Sequence, residues 1–136
     1  MKILAINPNT SLGFNESLSE TAEKYALRST TVKVISPDSG PKSIEGAFDE
    51  ALSILGTMKI FSDLEKDYDG FIIACYSDHL AVSAIREITD KPVLGIAEAS
   101  INIACSIGGK FSIVTTNDRW KPLLQDAVEK YGVASR

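Results

Sequence analysis

The chain has 136 residues, of which 44% are hydrophobic, and a formal net charge of −4 at pH 7. This length and apolar content predict one domain over residues 1–136, and the acidic balance argues against binding to nucleic acid or to an anionic membrane. The chain has no apolar run near the roughly 18 residues of a membrane span, and its two cysteines fit neither a zinc pattern nor a disulfide scaffold, so we expect free thiols in a cytoplasmic protein.

Five short, apolar segments rich in β-branched residues alternate with stretches of helical composition. The predicted strands are residues 2–7, 31–36, 70–75, 92–97 and 110–116. The predicted helices are residues 14–28, 45–64, 80–88, 98–107 and 117–131. This alternation favours a doubly wound, flavodoxin-like α/β fold, with a mostly parallel five-stranded sheet and helices on both of its faces.

Polar side chains follow four of the predicted strands at their carboxyl ends. In chain order they are Asn9, Thr10, Ser11, Cys75, Ser77, Asp78, Glu98, Ser100, Thr115 and Thr116. Because the carboxyl ends of parallel strands meet at one edge of a sheet, we expect these side chains to surround a shared ligand site. Neutral donors and helix N-termini at such an edge suit a small carboxylate, imide or phosphate. Loops and helix caps also favour these residue types, so each one alone has a purely structural explanation.

Cys75 is the one strong candidate nucleophile or base at this edge. A lone cysteine at a strand end is also a common buried side chain, so the residue pattern leaves both interpretations open. Cys105 lies in an apolar helical stretch, where we predict a buried packing role. The only histidine, His79, has the position of a helix cap or of a neighbour that tunes the thiol, but a solvated turn residue is the favoured interpretation.

Four sequence blocks together resemble the aspartate/glutamate/hydantoin racemase superfamily, and within it the hydantoin and allantoin racemase branch. The blocks are residues 7–11 (NPNTS), 74–78 (ACYSD), 92–100 (PVLGIAEAS) and 111–116 (FSIVTT). Their order and intervals extend the resemblance over residues 2–132. A one-cysteine decarboxylase of the same superfamily is an alternative, whereas residues 9–13 lack the glycine spacing of a dinucleotide-binding loop.

The resemblance implies a racemase of hydantoins, allantoin-like ureides or amino acids that needs no cofactor and no metal. In such an enzyme, two thiols on opposite faces of a carbon next to a carbonyl remove and return a proton. The resemblance assigns the first of these thiols to Cys75, whose thiolate we expect helix N-termini and loop amides to favour. The side chains that it assigns to the small-molecule substrate are Asn9, Thr10, Ser11, Ser77, Asp78, Thr115 and Thr116.

The chain also departs from this family. Its members are longer, Cys105 does not match the motif of their second cysteine, and His79 stands where the branch often has proline. The resemblance therefore implies the first half of a two-domain racemase, as a truncated gene product, a proteolytic remnant or a deliberately isolated domain. One alternative is a catalytically incomplete half-domain that binds small anions or imides, or assembles with another chain. The apolar face left by a missing half predicts a homodimer or larger assembly.

Overall fold

The computed structural model describes residues 1–136 and contains one sheet of four parallel strands in the order β2-β1-β3-β4. The strands are β1 (Lys2–Ile6), β2 (Thr31–Ile35), β3 (Gly70–Ile73) and β4 (Val93–Gly95). The helices are α1 (Leu12–Tyr25), α2 (Ala47–Leu64), α3 (Leu80–Arg86), α4 (Ile96–Ile107) and α5 (Trp120–Lys130), with a 3-10 turn at Glu65–Asp67. The predicted α/β fold with a parallel sheet is confirmed, and no helix has both the length and the apolarity needed to span a membrane.

The main core lies between one face of the sheet and helices α2 and α3. The strand register places Leu4 beside Phe71, and Phe71 beside Val93, so their side chains point to the same face. Phe61 of α2 meets Phe71 edge to face, with ring centroids 4.8 Å apart. The nine buried residues of this cluster are Leu4, Ile6, Phe61, Phe71, Ile73, Ala81, Val82, Ile85 and Val93. This packing fixes the strand ends from which the site loops emerge.

The carboxyl ends of β1 and β3 lie side by side at the point where the strand order reverses. Beyond the strands, the Ala74 amide donates to the Ile6 carbonyl at 2.8 Å, and the Asn7 amide donates to the Ile35 carbonyl at 2.9 Å. These bonds extend the pairing by one residue on β1 and on β3. Crevices at such reversal points are the usual ligand sites of parallel α/β sheets. Cys75 lies at the start of the loop that follows β3 at this point.

The predicted fifth strand, residues 110–116, does not form. Burial alternates along it as in a strand, with Phe111, Ile113 and Thr115 half-buried and the residues between them exposed. The Phe111 amide, however, donates to the Arg136 carbonyl at 3.1 Å rather than to the sheet. The outermost strand β4 has only three residues and continues directly into α4. The prediction of five strands was wrong because strand composition requires a ladder partner, which β4 does not supply here.

Candidate functional site

A pocket of about 380 Å³ opens at the carboxyl edge of the sheet, where the loops after β1, β2 and β3 meet the segment that precedes α5. Its lining residues are Asn9, Ser11, Phe14, Lys42, Ser43, Ile44, Glu45, Ala74, Cys75, Tyr76, Val114, Thr115, Thr116 and Trp120. Five of the predicted site residues therefore share one pocket. A larger depression of about 670 Å³ borders α5 but has neither cysteine in its lining, so the smaller pocket is the better candidate site.

The Cys75 thiol is partly buried and packs against a small apolar cluster formed by Ile44, Trp120 and Leu124. Burial, with a smaller contribution from the nearby Glu50 carboxylate, raises the pKa of Cys75 to about 11. The Ser77 hydroxyl donates to the sulfur at 3.5 Å, and this bond opposes the shift only in part. The expected stabilisation of the thiolate was therefore wrong for this structure. The protonated thiol is the resting form at neutral pH.

The loop after β1 owes its shape to a buried asparagine, Asn7. Its side-chain amide donates to Asn9 Oδ1 at 3.0 Å and to Asn15 Oδ1 at 2.9 Å. Asn9 Oδ1 also accepts the Ser11 amide at 2.9 Å, and the Ser11 hydroxyl caps α1 by accepting the Phe14 amide. The carbonyl oxygen of the Asn9 side chain is thus occupied within the loop. Its NH₂ group is left available as a donor beside the pocket.

Thr10 does not line the pocket but joins two of its loops. Both its amide and its hydroxyl donate to the Pro41 carbonyl, at 3.0 and 3.3 Å. On the neighbouring loop, the Glu45 carboxylate accepts hydrogen bonds from the Ser43 hydroxyl and from the side-chain NH₂ of Asn117. These bonds hold the loops after β1 and β2 against each other and against the segment before α5. A direct substrate contact by Thr10 stays a prediction.

Ser77 and Asp78 do not line the pocket that Cys75 lines. Asp78 accepts a hydrogen bond from Tyr131 Oη at 2.8 Å and pairs with the Lys130 ammonium. Burial by itself raises the pKa of Asp78, but the hydrogen bonds from Lys130 and Tyr131 outweigh it and leave the pKa lowered. The carboxylate thus connects the loop after β3 to the end of α5. Substrate contacts by Ser77 and Asp78 stay predictions.

His79 is not a solvated turn residue, because only 1% of it is exposed. It caps α3, with Nδ1 accepting the Ala81 amide at 3.1 Å, and its Nε2 lies 2.9 Å from Ser53 Oγ of α2. Burial lowers the pKa of His79. The position of His79 just before a helix could have indicated a cap from the sequence, but its burial depends on the packing of α2 against it.

Cys105 is half-buried rather than enclosed. The prediction of a buried packing role was therefore wrong about how deeply this side chain is buried.

The sequence did not predict the other nine lining residues of the pocket, among them Lys42 and Glu45 after β2, Tyr76 after β3, and Trp120 at the start of α5. The turn-rich composition of residues 36–41 marked a loop after the second strand, and every such loop faces the same edge of the sheet. That rule identifies Lys42 and Glu45 as candidates. Tyr76 Oη accepts a hydrogen bond from the Ser100 hydroxyl at 3.2 Å, which places Ser100 near the site without lining it.

Comparison with known proteins identifies a family for nearly the whole chain. Residues 3–136 match the Asp/Glu/Hydantoin racemase family. The chain is 43% identical to a hydantoin racemase of a Pseudomonas species, over 100% of this chain and 55% of that protein.

Two solved structures have the same fold. An allantoin racemase from Klebsiella pneumoniae superposes with a TM-score of 0.94 at 35% identity, covering 99% of this chain and 55% of that one. Allantoin racemase from Pseudomonas fluorescens gives a TM-score of 0.92 at 30% identity, covering 100% and 57%. The chain therefore spans about half the length of the relatives that it matches.

Proposed function

Because the chain belongs to the Asp/Glu/hydantoin racemase family, we propose that it carries one half of a racemase site, in which Cys75 exchanges a proton with a carbon next to a carbonyl. The proposed substrates are hydantoins, allantoin-like ureides or amino acids, and the proposed reaction needs no cofactor. One observation carries the proposal: Cys75 opens into a pocket that it shares with Asn9, Ser11, Thr115 and Thr116 from neighbouring loops.

The polar groups of the pocket suit a planar ring that carries carbonyl and imide groups. The side-chain NH₂ of Asn9 and the hydroxyls of Thr115 and Thr116 can donate to carbonyl oxygens. A donor at the carbonyl next to the reacting carbon would stabilise the negative charge that develops there during proton removal. Phe14 and Trp120 supply apolar walls for the remainder of the ring.

The protonated state of Cys75 fits the role of acid in one direction of the reaction. A base on the far face of the substrate takes the proton as the C–H bond breaks, and the electron pair moves to the carbonyl oxygen. The carbon then takes the Cys75 thiol proton on the near face, leaving a Cys75 thiolate and a protonated base opposite. The reverse direction uses the same two groups with their roles exchanged, so protons balance over each turnover.

The opposite base is proposed to come from outside these 136 residues, either from a further segment or from another chain. Cys105, the other cysteine, lies on α4 and does not line the pocket. The relatives are nearly twice as long as this chain, which leaves room for a second wall. A second wall over the pocket would also exclude water from the thiol.

The test is deuterium exchange into the two enantiomers of a 5-substituted hydantoin, followed by NMR. We expect exchange into one enantiomer only, with a rate that rises as the pH approaches 11, where the Cys75 thiolate forms. Cys75→Ser is expected to abolish this exchange, whereas the matched Cys105→Ser is expected to retain it. Exchange that is absent at every pH, or that survives Cys75→Ser, would count against Cys75 as the proton-transfer group.

One exposed surface supports the alternative function, in which the chain is a half-domain that assembles with another chain. Helix α2 exposes Phe48, Leu52 and Leu55, which lie four and three residues apart and so on one side of the helix. We propose that this stripe supports self-association through a second copy of the chain, because exposed apolar stripes mark interfaces. Sedimentation equilibrium is expected to give a dimer or larger for the parent chain and a monomer for Leu55→Glu.

The matched control is Leu27→Glu, which places the same charge at a comparably exposed leucine outside α2. It is expected to leave the assembly unchanged. A monomeric parent chain, or equal dissociation by both variants, would contradict self-association through α2.

A further inference from the structure

We propose that His79 and Ser53 form a positioning pair that fixes the loop between β3 and α3, and thereby the place of the Cys75 thiol. This inference rests on the proton-transfer role proposed for Cys75. Neither side chain lines the pocket, so both act through the loop rather than on the substrate.

The hydrogen bonds of the pair allow one arrangement of its protons. Ser53 Oγ donates its only proton to the Glu50 carbonyl at 2.7 Å, so it accepts from His79 Nε2 across their 2.9 Å contact. His79 Nδ1 accepts the Ala81 amide and therefore carries no proton. Only the neutral ring with its proton on Nε2 satisfies all three contacts. The ring consequently has a single orientation between α2 and the first turn of α3.

This pair fixes the far end of a short loop. Residues 74–79 connect β3 to α3, and the Ala74 amide holds the near end on the Ile6 carbonyl. Cys75 follows directly after that bond, and His79 is four residues further on. Between the two ends, the only hydrogen bond to the sulfur is the long one from Ser77, while Asp78 is held from α5 by Tyr131 and Lys130. The pair at His79 is thus the anchor on the α3 side of the loop, and we expect the position of the thiol to change when this anchor is lost.

Helix α3 does not need this pair in order to remain in place. Ala81, Val82 and Ile85 are buried in the main core and hold the body of the helix against the sheet. Loss of the contact between His79 and Ser53 is thus expected to loosen the first turn and the loop, while the domain stays folded. A change in thiol access without a matching change in global stability is the signature of a positioning role.

The experiment measures alkylation of Cys75 by iodoacetamide as a function of pH, in a Cys105→Ser background where one thiol remains. Ser53→Ala removes the hydroxyl and keeps the ring. His79→Asn keeps an acceptor for the Ala81 amide but is too short to reach Ser53. Each variant is expected to react about tenfold faster than the background chain at neutral pH. This is the factor by which losing one buried hydrogen bond would raise the population of the loosened loop. The apparent pKa of the thiol is expected to fall below 11.

The matched control is Thr57→Val on the same helix. Thr57 is buried and its hydroxyl donates to the Ser53 carbonyl at 2.9 Å, but it has no hydrogen bond to His79. It is expected to leave the alkylation rate unchanged, and the double variant Ser53→Ala/His79→Asn is expected to react no faster than either single one. Unchanged rates in both single variants, strictly additive effects, or an equal increase in Thr57→Val would overturn the proposal.

Alkylation needs no substrate and no opposite base, so the result stands apart from the racemase test. Exchange that fails while the alkylation pattern holds would contradict the proposed function and leave the loop inference supported. Exchange that succeeds while alkylation is unaltered in both single variants would support the proposed function and contradict the loop inference.

Discussion

The main core and the C-terminal wall, residues 110–136, are built in different ways around one pocket. Nine buried residues hold the sheet to α2 and α3. The wall is attached through a cluster of only three buried residues, Ile44, Trp120 and Leu124, and it adds no strand to the sheet. The thiol thus emerges from the better packed part of the molecule and faces the more weakly attached one.

Polar connections compensate in part for the small apolar contact of the wall. Tyr131 and Lys130 bind Asp78, and Asn117 binds Glu45. Asp78 lies in the thiol loop, and Glu45 lines the pocket. The side chains that shape the site are therefore the ones that hold the wall, and we expect the wall to open as a unit before the core does.

Phe71→Ala tests the core and is expected to have the largest effect. Phe71 is buried at the centre of the nine-residue cluster, so its loss leaves a cavity and should lower the free energy of unfolding by about 3–5 kcal/mol. Urea unfolding followed by circular dichroism measures this change. The exposed Leu27→Ala, outside the α2 stripe, is the control, expected within about 0.5 kcal/mol of the parent chain. Similar losses in the two variants would remove the contrast between core and surface.

Trp120→Ala tests the wall. Trp120 is buried in the small cluster beside Cys75, and we expect a loss of about 3 kcal/mol, at the lower end for a large aromatic side chain because few neighbours enclose it. Amide hydrogen exchange should increase over residues 110–136 and stay unchanged in β1 and β3. Faster exchange in those strands as well would mean that the wall and the core unfold as one unit.

Tyr131→Phe removes one polar connection and keeps the ring. The bond from Tyr131 Oη to Asp78 is partly solvated, so we expect a loss of about 1 kcal/mol in the stability of the wall, measured by hydrogen exchange in α5. Tyr25→Phe, at an exposed tyrosine of α1, is the matched control and is expected to have no effect. Equal exchange in the two variants would argue that the bond to Asp78 does not hold α5.

The smallest expected effect is the pH dependence contributed by His79. Burial holds its pKa below 6.5, so the unfolded chain binds a proton more readily than the folded one. The stability from this neutral ring is fully present above pH 6.5 and is lost as the pH falls below it. Urea unfolding between pH 7 and 5 should show this loss, and His79→Asn should show a shallower dependence. An identical slope in the variant would mean that other groups carry the pH dependence.

Local pattern predicted most of the fold and part of the site. The alternation of apolar and helical stretches predicted all four observed strands and all five helices. Each of these elements could be predicted because its pattern lies within a few consecutive residues. The rule that strand ends share one edge brought Asn9, Ser11, Cys75, Thr115 and Thr116 into one pocket.

Contacts between distant parts of the chain decided the rest. Residues 110–116 have strand composition, but a strand forms only beside another strand to which it can hydrogen-bond. Whether such a neighbour is available depends on the arrangement of the whole sheet. His79 is buried because Ser53, 26 residues earlier, approaches it from α2. The Cys75 pKa rises because Ile44 and Trp120 exclude water from the thiol. The sequence alone determined which residues could meet at the edge of the sheet. Only the tertiary structure decided their burial and charge state, because both depend on the water that folding removes.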